Sequence, residues 1–452
     1  MLNLNHLSSI TQVEGGACLS PYEFHQKIQE KAEYLKTRYG IGPGISVLLL
    51  QNNSIDFFVN LLAIFKLEAT AIPLDPNSSK LEIENIKSHS SISLVLDEND
   101  ESFDSLKYFK KLEKIALVLY TSGTTGSPKG VMISYNSLEV KMKIMANEIS
   151  ANDRAHTLCA LPTHFGHGLI CNSLFAIFHG EAFYIARKFD LIFVRDLVKI
   201  LNKYEITFFS TVPSVWELIL NFSSNDLAFP TLKRVHCASS PLSDAKASSI
   251  KNWLGGAVSF YNIYGITEML GWVAANLINF GSTSNEFKCF WSVDKKFGTD
   301  NELLLRSDYM FNGYLDNEAA FSEVIRADGF FRTGDIFENG QLKGRLKQIV
   351  NKKGIKIYPQ DINEFLNSSG FINEVHTFGI QDDFSNELIG VVVILKKGST
   401  IEQLKEYCIS NLPANKVPDR FFVRESIARN SRGKISNESI LQLIKENQTN
   451  EK

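Results

Sequence analysis

The stretch Leu119-Tyr-Thr-Ser-Gly-Thr-Thr-Gly-Ser-Pro-Lys-Gly130 constrains the fold of this chain more than any other. The apolar run Ile115 to Tyr120 before it reads as a short buried strand. Five hydroxyl residues, three glycines, one proline and one lysine follow. That composition suits a loop wrapped around phosphate. Glycines allow positive φ and close backbone approach, free N–H groups and hydroxyls donate to phosphate oxygens, and Lys129 adds a full positive charge. A surface turn of small polar residues explains a lone cluster of this kind, but not the ordered run behind a strand. The P-loop order Gly-x-x-x-x-Gly-Lys-[Ser/Thr] is not met. Counting from Gly123, Pro128 stands where the second glycine belongs, and Gly130 follows Lys129. A kinase or general NTPase built on a P-loop is therefore disfavoured.

At 452 residues the chain is too long for one ordinary domain, and its 44% apolar content supports a sizeable core. A net charge of −3 gives no global pull towards nucleic acid or an acidic membrane. Apolar runs such as Phe57 to Phe65 and Val391 to Leu395 are core-sized, so no membrane span is expected. Six scattered cysteines lack any Cys-x-x-Cys pair, and the first residues lack a basic-then-apolar signal. Free buried thiols in a reducing, cytoplasmic compartment are the expectation.

Along the chain, helical and strand patterns alternate. Tyr22 to Tyr39 has helical periodicity, Ser46 to Leu50 reads as a buried strand, Ile55 to Lys66 as a helix and Thr70 to Leu74 as a strand. This alternation implies a layered α/β sheet. Ser134 to about Ile149 reads as a helix capped by Asn136 or Ser137. Leu161-Pro-Thr-His-Phe-Gly-His-Gly-Leu169 reads as a loop on its proline and glycines. His164 and His167 lack further ligands at metal-binding spacing. Pro213 is expected near the first turn of a helix, with Trp216 in the core.

The run Thr121 to Gly130 resembles the signature loop of the adenylate-forming (AMP-binding) superfamily, which comprises acyl-CoA synthetases, peptide-synthetase adenylation domains and luciferases. Four further stretches resemble that family in order: Ala238-Ser-Ser-Pro-Leu242, Asn262-Ile-Tyr-Gly-Ile-Thr-Glu268, Phe331-Arg-Thr-Gly-Asp335 and Asn430-Ser-Arg-Gly-Lys-Ile435. The resemblance extends from about Tyr22 to Leu443, with a compressed segment at Gly281 to Lys296. It implies a large N-terminal domain of layered α/β sheets with a small, trimmed β-rich subdomain, over residues 1–346. A smaller mobile α+β lid would follow over 347–452, hinged near Lys347.

The resemblance also assigns roles. Thr121, Ser122, Gly123, Thr124, Thr125, Gly126 and Lys129 would hold the ATP phosphates. Ser239 and Ser240 would border adenine and the acyl carbonyl, beside Asn262, Tyr264 and Gly265. Tyr264 is suited to stacking on adenine and Thr267 to donating to a phosphate oxygen. Glu268 is suited to Mg²⁺, which binds through few carboxylates plus substrate phosphates. Asp335 and Arg345 would hold the ribose, with Arg345 also near phosphate, and Lys434 would neutralise charge during adenylation. His164, Phe165, Gly166, Ser239, Met269 and Leu270 would line the acid's pocket.

The implied activity is ATP-dependent conversion of a carboxylic acid to an acyl-adenylate with release of pyrophosphate, followed by transfer to a thiol. The acceptor is coenzyme A or the phosphopantetheine arm of a carrier protein. No acidic residue lies between Pro162 and His179 to hold a substrate amine, which favours a fatty or aryl acid over an α-amino acid. The alternatives are an amino-acid-activating domain and a non-catalytic nucleotide-binding protein on the same fold.

Overall fold

The computed structural model describes residues 6–92, 94–98, 101–103, 112–121, 129–187, 189–223, 228–281, 286–287, 289–382, 386–427 and 440, with only the backbone at 102 and 103. The chain divides into two compact units. The first comprises residues Met1–Leu242, Ala247–Asp294 and Leu305–Phe331, and the second Ser243–Lys246, Lys295–Leu304 and Arg332–Lys452.

Two sheets build the first unit. A six-stranded sheet runs in the order Glu101–Phe103, Leu94–Asp97, Ser46–Leu50, Thr70–Pro73, Ile115–Thr121, Lys129–Ser134. Its four inner strands are parallel and its two edge strands antiparallel. Ser46–Leu50 is buried at every residue, which explains its unbroken apolar sequence: an inner parallel strand has both faces covered. A nine-stranded sheet has Phe208–Thr211 at its centre, flanked by Arg234–Cys237 and His156–Cys159. Its antiparallel hairpin Ser259–Ile266 with Gly271–Ile278 leads to one edge.

Local rules set the helices. Pro21–Tyr39 begins at a capping box between Ser20 and Glu23, buries Phe24, Ile28, Ala32 and Leu35, and ends at Gly40 with φ +65°. Ile55–Lys66 is apolar almost all round and accordingly buried on nearly every side. The helix Tyr135–Glu148 is capped by Ser134, whose Oγ accepts from Ser137 N, rather than by Asn136 or Ser137. Chain entry from the preceding strand sets the cap two residues before Asn136. Pro213 opens its helix and Trp216 is fully buried.

The expected loop at Leu161 to Leu169 is only half a loop. From His167 to Leu174 the chain is π-helical and continues into the helix Phe175–His179. Gly168 does not break it, because a side chain there would overlap the Pro162 carbonyl: the glycine serves close packing.

The second unit contains a sheet in which Asn386–Leu395 pairs with Ile372–Asp382 and, in parallel, with Arg420–Val423. The helices Pro359–Ser368 and Ile401–Asn411 contribute Ile362, Leu366, Leu404 and Cys408 to a core with Val391 and Val393. A four-stranded sheet orders Asp294–Phe297, Glu302–Arg306, Phe331–Glu338 and Gln341–Arg345.

All six cysteines are free. Among the described residues no helix is long and apolar enough to cross a membrane.

Candidate active site

Thr121 and Lys129 end two neighbouring antiparallel strands and are direct cross-strand partners. The loop they bracket, with Ser122, Gly123, Thr124, Thr125 and Gly126, lies outside the described residues, as does Lys434. The base of the loop is tightly built. A Cβ on Gly130 would stand 3.0 Å from Val118 and 3.2 Å from Leu315, so a larger residue would crowd the place where the three segments meet.

Thr267 and Glu268 sit in the one-turn 3₁₀ segment Thr267–Met269 between the strands Ser259–Ile266 and Gly271–Ile278. The reversal needs special backbone: Leu270 has φ +55° and Gly271 φ +90°. A side chain on Gly265 would overlap the Gly271 carbonyl, and one on Gly271 would overlap Cys171 Sγ. Met269 and Leu270 are wholly buried, so the turn is anchored in the core while Glu268 stays partly accessible. Lys141 is buried beside this turn. It donates to the Trp272 carbonyl and lies 4.1 Å from the centre of the Tyr309 ring. Burial lowers its ammonium to about 8.

The two segments meet through Tyr314. Its hydroxyl donates to Glu268 Oε1 at 2.8 Å, and Lys129 Nζ lies 4.7 Å from the centre of its ring. The sequence alone gave Tyr314 no role. The available signal was an aromatic residue directly after a glycine, Gly313, whose φ in the structure is +129°. Among the described residues no donor reaches Glu268 Oε2, and no group of three His, Cys, Asp or Glu gathers as a self-sufficient metal centre. A single open carboxylate fits Mg²⁺, which fills its shell with phosphate oxygens and water.

On the acyl side, Gly166 O faces Gly271, the residue after Met269 and Leu270: a Cβ on Gly271 would stand 3.9 Å from it. His164 Nε2 is 3.9 Å from Asp75 Oδ2, and Gly166 lies under Leu119. Phe165 places its ring 5.6 Å from that of His164. His167, not included in the expected lining, makes the close polar contacts: Nδ1 to Ser239 Oγ at 2.9 Å and Nε2 to Ser210 Oγ at 2.6 Å. Burial pushes its pKa down to about 3, so the ring is neutral. A neutral imidazole donates through one nitrogen and accepts through the other, so the two serines take opposite roles. Ser239 holds φ +75°, a left-handed conformation that favours glycine, and Ser240 follows it half-buried. No sequence signal singled out Ser210. The turn before His167 is pinned by buried Asn53, whose Nδ2 donates to Leu161 O (2.8 Å) and Ala186 O (3.1 Å) and whose Oδ1 accepts from Thr163 N and Oγ1.

Asn262 and Tyr264 are buried in their strand, with the Tyr264 ring 5.8 Å from that of Phe287.

In the second unit, Asp335 and Arg345 are cross-strand partners joined by an ion pair. Glu302 supports them, accepting from Arg332 at 2.9 Å and from the Gly334 N–H at 3.1 Å. Lys347 is exposed in the short turn Leu346–Gln348.

The chain as a whole is similar to known proteins. A family model described as AMP-binding enzyme matches residues 9–114 and 107–315. The oxalate–CoA ligase of Arabidopsis thaliana is 26% identical, covering 95% of this chain and 94% of that protein. The ATP-bound crystal structure of MatB from Rhodopseudomonas palustris matches with a TM-score of 0.84 at 21% identity, over 97% of this chain and 95% of that one. The o-succinylbenzoate CoA synthetase of Bacillus subtilis, in complex with its acyl-adenylate intermediate, matches with a TM-score of 0.82 at 19% identity, over 96% and 95%. The likeness to these structures is one of fold: the α/β adenylate-forming fold, with a large N-terminal and a small C-terminal domain. With the family model matching well over half its length, the chain belongs to the AMP-binding enzymes, the adenylate-forming superfamily that includes the acyl-CoA synthetases.

Proposed function

We propose that this enzyme activates a carboxylic acid with ATP and passes the acyl group to the thiol of coenzyme A. A carboxylate oxygen attacks the α-phosphorus, the bond to the β-phosphate bridging oxygen breaks, and pyrophosphate leaves. A thiol then attacks the acyl carbon and expels AMP. The observation that carries this reading is the meeting of Lys129 and Glu268 on Tyr314, which puts a phosphate-binding cation and a metal-binding carboxylate side by side. Glu268 would hold Mg²⁺, which supplies charge neutralisation at the phosphates. Thr267 and Lys129 would orient phosphate oxygens, and Asp335 with Arg345 the ribose. Positioning and charge neutralisation dominate such a transfer.

The acid is proposed to be a fatty or aryl acid. The buried polar group nearest the acyl side, His167, is neutral, and its partners are hydroxyls, so nothing in that trio attracts an ammonium. The relatives are named for oxalate and o-succinylbenzoate, which supports an acid without an α-amino group and coenzyme A ahead of a carrier protein. Lys434 is proposed to serve adenylation and to withdraw when the lid turns about Lys347. ATP–pyrophosphate exchange across fatty, aryl, dicarboxylic and amino acids tests the reading. Exchange with one acid class supports it; exchange with amino acids alone, or ADP as the product, overturns it. Lys434→Ala should abolish exchange yet keep thiol capture from supplied acyl-adenylate, and equal loss of both steps would refute the division of labour.

A further inference from the structure

We infer that Tyr314 is a positioning residue that sets the Glu268 carboxylate for metal-bound ATP and keeps Lys129 from pairing with it. The inference rests on the adenylating reading above. A lysine and a glutamate approaching the same phosphates attract one another, and a direct ion pair would occupy the groups that ATP and its metal need. Tyr314 stands between them and satisfies both without joining them. Its ring offers Lys129 a negative face at 4.7 Å, and its hydroxyl gives Glu268 Oε1 a hydrogen bond at 2.8 Å. The bond occupies one of the two carboxylate oxygens.

The backbone makes this arrangement rigid. Tyr314 is 5% exposed and forms an antiparallel bridge with Val131, two residues beyond Lys129. Leu315 N donates to Gly130 O at 2.8 Å, and Phe311 N donates to Glu268 O at 2.9 Å. Asn312 Oδ1 accepts from Ser134 N at 2.9 Å. One five-residue segment thus grips both the foot of the phosphate loop and the backbone of the metal carboxylate. Gly313 allows this at φ +129°, where a side chain would also crowd Met132. A buried tyrosine needs a partner for its hydroxyl, and here that partner is Glu268.

Two variants separate the functions of ring and hydroxyl. Tyr314→Phe keeps the ring, and Tyr314→Leu removes both. Calorimetric titration of the full chain with ATP, in Mg²⁺ and in EDTA, reads binding without turnover. Tyr314→Phe should weaken binding of Mg²⁺·ATP about tenfold and leave binding in EDTA within about twofold. Tyr314→Leu should weaken both. In a Glu268→Gln background, Tyr314→Phe should add no further loss, which a general packing defect would not reproduce. Equal weakening by Tyr314→Phe with and without metal, or none, overturns the inference. So does wild-type protein that gains nothing from Mg²⁺. A wild-type metal gain abolished by Tyr314→Phe, without acid-dependent exchange, would support the inference and sink the adenylating reading instead.

Discussion

Arg345 Nε donates to Asp335 Oδ1 across 2.7 Å, joining directly opposed residues of the strands Phe331–Glu338 and Gln341–Arg345. The Asp335 side chain is 5% exposed and that of Arg345 44%, so the carboxylate is fixed while the guanidinium reaches solvent. An ordered carboxylate of this kind suits two adjacent ribose hydroxyls. Asp335→Asn keeps the shape but removes the charge-assisted bonds, and ATP affinity should fall about tenfold or more by calorimetry.

The neutrality of His167 has a pH signature. Its folded pKa lies near 3, below the ordinary 6.5, because burial disfavours the charged ring. Below pH 6.5 the unfolded chain takes up a proton that the folded chain refuses, so stability present above 6.5 is lost as pH falls towards 3. The loss is about 1.4 kcal/mol per pH unit in that window. His167→Gln should flatten the decline in melting temperature between about pH 6.5 and 5. His236, also buried and shifted well down, should retain its own share of the decline.

Asn53 is fully satisfied and nearly inaccessible, and it ties Thr163 and the Leu161 and Ala186 carbonyls to the start of the helix Ile55–Lys66. Asn53→Ala leaves buried donors and acceptors without partners. The expected cost is about 3 kcal/mol, read as a lowered melting temperature. The KM for the acid should rise with it, because the same turn leads into His167.

Gly271 has two reasons to be glycine: φ +90° and the Cys171 sulfur. Gly271→Ala should destabilise by about 2 kcal/mol or more. Pairing it with Cys171→Gly removes the overlap but not the backbone strain. The double variant should recover part of the loss in thermal melting, and full recovery would show that φ contributes nothing.

The sequence by itself determined the family and most of the elements. Ser46–Leu50 and Ile55–Lys66 were legible because a two-sided buried strand and an apolar helix write their environment into consecutive residues. Glu268, Asp335 and Lys129 were candidates for the chemistry because each stands in an ordered motif. Tertiary structure alone decided which side chains meet. Tyr314 and Glu268 are 46 residues apart, His167 and Ser239 are 72 apart, and Asn53 and Leu161 are 108 apart. Periodicity and spacing carry no information over such distances. The proline and glycines at Leu161 to Leu169 argued for a loop, yet Gly168 is there to let the π-helical turn pack on Pro162, a contact that exists only once the chain has folded.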